Sequence, residues 1–329
     1  MSVNLSRRSA LTLGAASLAA GFAPASAFAA PMAKLDLWGP PAGPSAVLAH
    51  AVASGFLDEF ADASEFHAWR NPDELRAGLS SKNIGISVVP VQAAANLYNR
   101  GFPIKMVNVM TQGLLYIISA DPNVTSTADL KGMKLVVPFK GDTPDIIFDH
   151  LMAAAGLTEG DIEIFNVGTP VEAVQMLMTG RANAALLPEP AVSAAIMKAK
   201  SMGKSLTRVI DVQEEWGKVD NTAPIIPQAG LAVTGPFLAE HGDLVAGINA
   251  ALAKAAASTL TDPMKAAKDA TGPLGMPAPV LAQSIKNSRL GVWTASEMRP
   301  SIERMLNTMA EVDPKKIGGK LPDDAFYLL

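Results

Sequence analysis

Hydrophobic and polar positions divide the chain into two kinds of segment between residue 34 and about residue 212. Short apolar runs, typical of buried strands, alternate with longer runs of helical periodicity. We predict strands at 34–38, 64–68, 84–89, 104–109, 114–119, 134–138, 162–166, 183–187, 207–212 and 229–234. After residue 236 the pattern becomes helical and alanine-rich, with helices predicted at 237–260, 262–270, 277–287 and 295–311. Alternation of strands with helices indicates α/β construction around parallel sheets.

One strand–loop–helix pattern occurs twice, about a hundred residues apart. The segments beginning at Lys34 and Lys134 each give an apolar strand, a Gly/Pro-rich loop and a helix entered through proline. Proline suits the first helical turn because its missing N–H would have no intrahelical partner there. A second pattern, helix–glycine–strand–proline, recurs at 74–90 and 176–188. Two similar lobes with a cleft between them are therefore predicted.

The order of these segments suggests where the chain passes between the lobes. We expect residues 30–119 and 228–329 to form lobe 1 with the C-terminal helices, and residues 120–227 to form lobe 2. Two crossings would make a hinge, since a few loop residues can absorb a rigid-body closure. The predicted fold class is α/β, with two Rossmann-like lobes joined by a two-crossing hinge.

The first 29 residues are expected to be a cleaved signal peptide rather than part of the fold. Arg7 and Arg8 precede a short apolar run, and small residues ending at Ala29 form an A-x-A cleavage pattern. The apolar run is too short to span a membrane, which takes ~20 residues. The segment also resembles a twin-arginine signal, with Ala10 at the usual phenylalanine position. Both the twin-arginine and the general export routes stay open.

Composition narrows the classes of protein that fit an exported chain. There are no cysteines, which excludes a lipid anchor on a cysteine, disulfides and Cys-based metal sites. The formal net charge is −4 and loss of Arg7 and Arg8 makes it more negative, which disfavours nucleic acid and anionic membranes as partners. No segment after the signal is predicted to span a membrane. We therefore expect a periplasmic protein that is free of the membrane.

The candidate site lies in the two equivalent loops after the repeated strands. Each loop follows the carboxyl end of a strand, where open α/β sheets bind ligands, and each leads into a helix N-terminus that can hold an anion. The first loop offers Gly43 and Ser45. The second offers four candidates, which are Lys140, Gly141, Asp142 and Thr143. Ordinary turn chemistry is the alternative explanation for either loop alone.

Polar residues at other strand ends extend the candidate set. Gln92 and Glu189 follow the strands at 84–89 and 183–187, and Gln112 and Gln228 could provide further amide contacts. A carboxylate beside a bound anion is unfavourable unless a cation intervenes. Lys140 could neutralise Asp142, the ligand could carry an amine, or Asp142 could cap its helix and point away from the cleft.

No sequence motif indicates an enzyme active site or a metal site. The four histidines have no HExxH or His-x-His spacing, and the chain has no Walker loop, GxGxxG or GxSxG motif. We therefore predict no catalytic residues, no metal and no cofactor.

Four segments carry a resemblance to a known family. They are Trp69–Leu75, Val136–Asp142, the turn and strand Gly180–Ala185, and Ile317–Asp324 near the C-terminus. Together they resemble the solute-binding proteins of ABC importers, in the nitrate/sulfonate/taurine group.

The resemblance implies a type II periplasmic-binding-protein fold that captures a small solute between its lobes. It implies delivery to a membrane permease and its ATPase subunit, and ligand contacts from the candidate residues above, with Trp69 added as an aromatic candidate. Asp142 and Glu189 depart from the family's usual oxyanion site, so sulfonates, amino-sulfonates and carboxylates are favoured over nitrate. Two alternatives stay open, namely a binding protein for a thiamine-type pyrimidine precursor and a ligand-sensing ectodomain.

Overall fold

A computed structural model of the protein describes residues 31–329. The predicted signal peptide, residues 1–29, lies outside the described residues. From Met32 to Leu329 the chain forms one compact unit that contains two β-sheets.

The first sheet defines lobe 1. Its strands are β1 (Leu35–Gly39), β2 (Ser64–Ala68), β3 (Ile86–Pro90), β4 (Ile104–Met106), β5 (Asn108–Thr111), β11 (Ala229–Thr234) and β12 (Leu290–Thr294). The strand order is β12-β5-β11-β3-β1-β2, and β4 also pairs with β11. Strand β1 is parallel to both β2 and β3, whereas β11 is antiparallel to β3.

The second sheet defines lobe 2 and repeats this arrangement. Its strands are β6 (Leu115–Ser119), β7 (Lys134–Pro138), β8 (Glu163–Val167), β9 (Ala184–Pro188) and β10 (Thr207–Asp211), in the order β10-β6-β9-β7-β8. Strand β7 is parallel to β8 and β9, and β6 is antiparallel to β9. The three parallel strands β3-β1-β2 thus correspond to β9-β7-β8, which confirms the repeat seen in the sequence.

Helices connect and cover the strands. They are α1 (Gly43–Ala53), α2 (Pro72–Ser80), α3 (Val91–Asn99), α4 (Thr143–Ala154), α5 (Pro170–Met178), α6 (Ala191–Ser201), α7 (Val212–Val219), α8 (Gly235–His241), α9 (Val245–Thr261), α10 (Pro263–Leu274), α11 (Ala278–Ile285) and α12 (Ala295–Val312). Short 3₁₀ turns follow at Pro314–Ile317 and Asp324–Phe326.

Local sequence explains where several helices begin. The Asn71 side chain accepts a hydrogen bond from the Glu74 backbone N–H at 2.9 Å, and Thr169 does the same for Glu172 at 3.2 Å. In both helices proline occupies the first turn, as the sequence indicated. A side-chain cap satisfies one of the N–H groups that a helix start leaves free, so these sequences fix the helix starts.

The boundary between the lobes differs from the predicted one. Strand β6 pairs with β9 along its whole length, from Leu115 opposite Pro188 to Ser119 opposite Ala184. The first change of sheet therefore falls at residues 112–114, before β6, and not near residue 119. This pairing is long-range, so the apolar run at 114–119 contained no sign of it. The second change of sheet lies between α7 and β11.

One helical stretch departs from the expectation about membrane spans. Gly235–Thr261 is long and apolar enough to cross a membrane by length and composition. A 3₁₀ turn at Gly242–Leu244 divides it, and 44% of its most apolar window is buried inside the protein. Leu252 and Ala255 are fully buried. A core helix of a folded domain explains the stretch, because its apolar face already has protein neighbours.

Candidate ligand-binding cleft

The loop after β7 has a backbone conformation that local contacts hold in place. Phe139 and Gly141 have φ of 61° and 75°, in the left-handed region that is costly for a residue with a side chain. The Phe139 N–H donates to the Val167 carbonyl at 3.0 Å, and the Gly141 N–H donates to Asp145 Oδ2 at 2.6 Å. The buried Asp145 also accepts from Asn166 at 3.2 Å. The loop is therefore anchored both to β8 and to the first turn of α4.

Four of the predicted site residues, 140–143, follow one another at this loop. Lys140 and Asp142 are exposed, whereas Thr143 is only 7% exposed. Asp142 occupies the N-cap position of α4, but its side chain makes no capping hydrogen bond. Capping thus does not account for the orientation of the Asp142 carboxylate.

Electrostatics identify what faces Asp142. Partial removal from water raises the pKa of Asp142, and the positive charges of Lys316 and Arg76 oppose that rise. Arg76 lies on α2 of lobe 1, and Lys316 lies in the 3₁₀ turn after α12. Both cations belong to lobe 1, so Asp142 lies on the side of the loop that is nearer to that lobe. Lys140 is not among the charges that shift Asp142.

Lys316 makes the closest approach between this turn and lobe 2. Its Nζ lies 2.4 Å from where a Cβ on Gly141 would be, so the absence of a side chain at Gly141 makes room for the ammonium group. On lobe 1, the Gln92 side-chain amide donates to the Lys316 carbonyl oxygen. The predicted residue Gln92 thus contacts the backbone of a lysine that faces the opposite loop.

The equivalent loop in lobe 1 is closed by packing. Ser45 is fully buried, and its hydroxyl has no hydrogen-bond partner in the structure. Gly43 is buried as well, and a Cβ there would lie 2.7 Å from Ser288 Oγ. The two loops repeat in sequence and topology, but only the lobe 2 copy exposes its polar side chains. Gly43 and Ser45 stay predictions as ligand residues.

Glu189 is engaged in a buried ion pair. Its side chain is fully buried, and Arg208 on β10 donates to Glu189 Oε1 through both Nη2 and Nε, the latter at 3.1 Å. The Ser193 N–H in the first turn of α6 donates to Glu189 Oε2 at 3.1 Å. These bonds give the carboxylate a structural role within lobe 2.

Two other candidates lie at the crossings between the lobes. Gln228 Oε1 accepts from the Leu114 N–H at 3.1 Å, and the Gln228 carbonyl accepts from the Val91 N–H at 3.0 Å. The Gln112 carbonyl accepts from the Ile226 N–H at 2.9 Å. Gln228 and Gln112 therefore tie the two crossing segments together.

Trp69 belongs to the hydrophobic core rather than to an open surface. It is 5% exposed, and its indole N–H donates to Ser87 Oγ at 3.2 Å. Trp38, on β1, stacks on His67 with ring centroids 4.6 Å apart. The exposed faces that a stacking ligand would need are thus largely covered at both tryptophans.

The cleft therefore brings together part of the predicted set. Lys140, Gly141, Asp142 and Thr143 lie on the lobe 2 side, and Gln92 lies beneath Lys316 on the lobe 1 side. Lys316, whose Nζ approaches Gly141, was not among the predicted site residues. A pair of lysines before two glycines, at 315–319, was the available signal, because such a pair beside a turn is often exposed.

Elsewhere, one group of side chains has the donor types of a metal site. One ligand atom each from Asp36, Glu65 and His67 lie within 4.8 Å of one another on the edge of the lobe 1 sheet. Lys34 Nζ already lies 3.1 Å from Asp36 and 2.9 Å from Glu65. The ammonium group balances these carboxylates, so the group is explained without a metal.

Two surface depressions lie in the part of the chain that the structure describes. One of about 350 Å³ is lined by Tyr98, Asn99 and neighbouring residues of lobe 1, and one of about 380 Å³ is lined by α5 residues of lobe 2. Neither contains a predicted ligand residue. The second depression includes Val167, at the end of β8, whose carbonyl accepts from the Phe139 N–H of the lobe 2 loop at 3.0 Å.

The two repeated lobes and two crossings define a type II periplasmic-binding-protein fold. The chain belongs to the NMT1/THI5-like family, whose model matches residues 80–266. No curated protein matches the chain in sequence.

Three solved structures share this fold. An ABC transporter protein from Parabacteroides distasonis has 24% identity and a TM-score of 0.73, over 91% of this chain and 98% of that one. The periplasmic aliphatic sulphonate binding protein SsuA from Escherichia coli has 18% identity and a TM-score of 0.68, over 88% and 92%. The periplasmic nitrate-binding protein NrtA from Synechocystis PCC 6803 has 12% identity and a TM-score of 0.63, over 87% of each chain.

Proposed function

We propose that this protein is the substrate-binding component of an ABC importer and captures a small anionic or zwitterionic solute between its lobes. The observation that carries the proposal is the charge of the cleft. Lys316 of lobe 1 lies against Gly141 of the lobe 2 loop, beside Asp142, and forms no salt bridge within residues 31–329. Lys140 on the same loop also forms no salt bridge within these residues. Cations without partners at a cleft favour an anionic ligand.

The helix start beside these lysines adds to the attraction for an anion. Helix α4 begins at Thr143, and the free N–H groups and positive dipole end of its first turn point toward the loop. The Thr143 hydroxyl adds a hydrogen-bond donor that makes no bond within residues 31–329. A sulfonate or carboxylate group would satisfy both the N–H groups and the ammonium groups.

Asp142 bears on the rest of the ligand. An ionised carboxylate next to a bound anion is tolerated when a cation lies between them. Lys316 is one such cation, and an amine on the ligand would be a second. Taurine-like amino-sulfonates therefore fit the cleft at least as well as simple sulfonates, and a bare nitrate uses fewer of these contacts.

Structural neighbours named for sulphonate and nitrate binding support transport of an anion. A permease and an ATPase subunit would be the partners, and the chain would act in the periplasm after removal of residues 1–29. In this proposal the protein returns its ligand unchanged, and no residue acts as a catalyst.

Membership of the NMT1/THI5-like family supports a second candidate function, the binding of a pyrimidine precursor. Such a ligand would need an aromatic surface in the cleft. Trp69 is buried with its N–H engaged, and Trp38 stacks on His67, which leaves Phe139 on the lobe 2 loop. The anionic solute therefore remains the preferred candidate.

A thermal-shift screen of the purified protein lacking residues 1–29 tests the proposal. The panel would hold taurine, ethanesulfonate, nitrate, bicarbonate, carboxylates, amino acids and pyrimidines at constant ionic strength. A ligand at 100 times its Kd stabilises the folded state by ~2.7 kcal/mol, which is readily measured as a rise in Tm. We expect sulfonates or amino-sulfonates to raise Tm. A rise with pyrimidines alone, or chemical conversion of the bound compound, would contradict the proposal.

A further inference from the structure

The segment after α12 is held against α3 by a row of side-chain amides. Gln92, Asn96 and Asn99 lie on one face of α3, at the spacing of successive helical turns. Asn96 donates to the carbonyls of Lys315 at 2.7 Å and Lys316 at 3.0 Å. Asn99 donates to two further carbonyls of residues 317–320, at 2.7 and 2.6 Å. We call residues 313–323 the C-terminal strap.

Close packing holds the strap in place in addition to these hydrogen bonds. Gly318 has φ of 79°, and a Cβ there would lie 2.6 Å from Asn99 Cβ and 3.0 Å from the Asn96 carbonyl oxygen. Ile317 is 1% exposed within the hydrophobic core, and Tyr98 donates to Asp323 at 2.5 Å. A strap held at both ends and along its middle has little freedom to move on α3.

This arrangement places the Lys316 side chain at the cleft. The Lys316 carbonyl faces α3 while its Nζ lies against Gly141 of lobe 2. Two carboxylates belong to this loop, Asp142 beside Gly141 and Asp145, which accepts from the Gly141 N–H at 2.6 Å. Arg76, the other lobe 1 cation that acts on Asp142, pairs with Asp73 at 2.5 Å. Lys316 itself forms no salt bridge within residues 31–329.

We propose that Lys316 is the lobe 1 anchor for the anionic group of the cleft ligand, and that the amides of α3 are positioning residues which hold it there. The inference rests on the proposed function. The anionic group would lie between the Lys316 ammonium and the first turn of α4, near the Thr143 hydroxyl. Binding would then link the strap of lobe 1 to the loop of lobe 2 and favour the closed arrangement of the lobes.

The strap supplies a matched control. Lys315 lies in the same 3₁₀ turn, is exposed, and also gives its carbonyl to Asn96. Lys315→Gln therefore removes one positive charge from the same turn without touching the cleft. Lys316→Arg keeps a positive charge at the cleft but replaces the compact ammonium group by a planar guanidinium group.

Isothermal titration with ethanesulfonate and with taurine at fixed ionic strength tests the inference. A hydrogen-bonded charge of this kind is expected to change affinity by about 10- to 100-fold, so Lys316→Gln should raise the Kd by that factor. Lys315→Gln should leave the Kd within about twofold, since screened surface charges contribute little. Lys316→Arg should recover part of the loss. Circular dichroism and Tm would establish that each variant is folded.

The positioning role has its own readout. Asn96→Ala alone should weaken ligand binding. Added to Lys316→Gln, it should have almost no further effect on the Kd, because both changes act through the same ammonium group. Equal losses in the two backgrounds would overturn the positioning role.

Two failures are distinguishable. If the wild-type protein binds a sulfonate and Lys316→Gln binds it equally well, the anchor is wrong and the proposed function survives. If the wild-type protein binds no anion of the panel, the proposed function fails and the inference falls with it.

Discussion

Substitution of Glu189 distinguishes a structural carboxylate from a ligand contact. Glu189 was predicted as a ligand residue from its place at the end of a strand. The structure pairs it with Arg208, whose side chain is only 20% exposed. Glu189→Ala would leave the Arg208 guanidinium without its partner and the Ser193 N–H without its acceptor. The change should therefore act on stability first.

The magnitude follows from burial. Removing one partner of a buried ion pair costs ~3–5 kcal/mol, because the remaining charge stays in a poorly solvated site. Whole domains are stable by only ~5–15 kcal/mol, so the loss should be a large fraction of the total. Arg208 also lies 5.4 Å from the Tyr116 ring centroid and donates to Ser193 Oγ at 2.9 Å, which partly compensates. We expect about 3 kcal/mol for Glu189→Ala and less for Glu189→Gln, since the amide keeps an acceptor.

Urea unfolding followed by circular dichroism would measure the loss. A double-mutant cycle with Arg208→Met should give a combined loss well below the sum of the single losses, because the two residues share one interaction. In a parallel titration, Glu189→Gln should keep the ligand Kd within about threefold. A variant with wild-type unfolding and a Kd raised more than about tenfold would refute the structural role and return Glu189 to the ligand site.

Three further predictions concern pH and packing. Burial and the charges of neighbouring carboxylates raise the pKa of Asp149 to about 6 in the folded protein, from about 4 in the unfolded chain. Ionisation of Asp149 therefore destabilises the folded state as pH rises from about 4 through 6. Asp149→Asn should therefore raise Tm at pH 7.5, and this gain should disappear near pH 4; a gain independent of pH would contradict the pKa. A Cβ on Gly230 would lie 1.9 Å from the Asn108 carbonyl oxygen, so Gly230→Ala should lower Tm sharply or prevent folding, and a wild-type Tm would refute the packing. A Cβ on Gly272, in α10, meets no atom within 4 Å, so Gly272→Ala should be neutral or stabilise by up to about 1 kcal/mol; a marked fall in Tm would be inconsistent with that space.

Much of the fold could be predicted because it is encoded locally. The apolar run of β7, the Gly/Pro-rich loop after it and the proline at the start of α4 lie within about twenty residues of one another, and the same order recurs at β1 and α1. Strand β12 was missed. Four of its five residues are only partly buried, and its pairing with β5 is remote in sequence, so its pattern merges with the helices on either side.

The site could be predicted only on one side of the cleft. The lobe 2 loop combines a cation, an acid and a hydroxyl within four residues, which is visible in the sequence. Lys316 reaches the same place only because amides on α3 hold the strap, a contact between residues more than two hundred positions apart. Glu189 stays a prediction as a ligand residue, and its ion-pair partner Arg208 was not foreseen because it lies on another strand. A sequence shows which residues have useful chemistry, but long-range packing decides which of them are free.

A crystal structure with the tightest-binding sulfonate would test the central claim most directly. We predict one ligand per chain, lying between the lobes, with an anionic oxygen within hydrogen-bond distance of Lys316 Nζ and the Thr143 hydroxyl. Density for the ligand at another place, such as the depression beside Tyr98 and Asn99, would contradict the account. So would a ligand between the lobes whose anionic group points away from both residues.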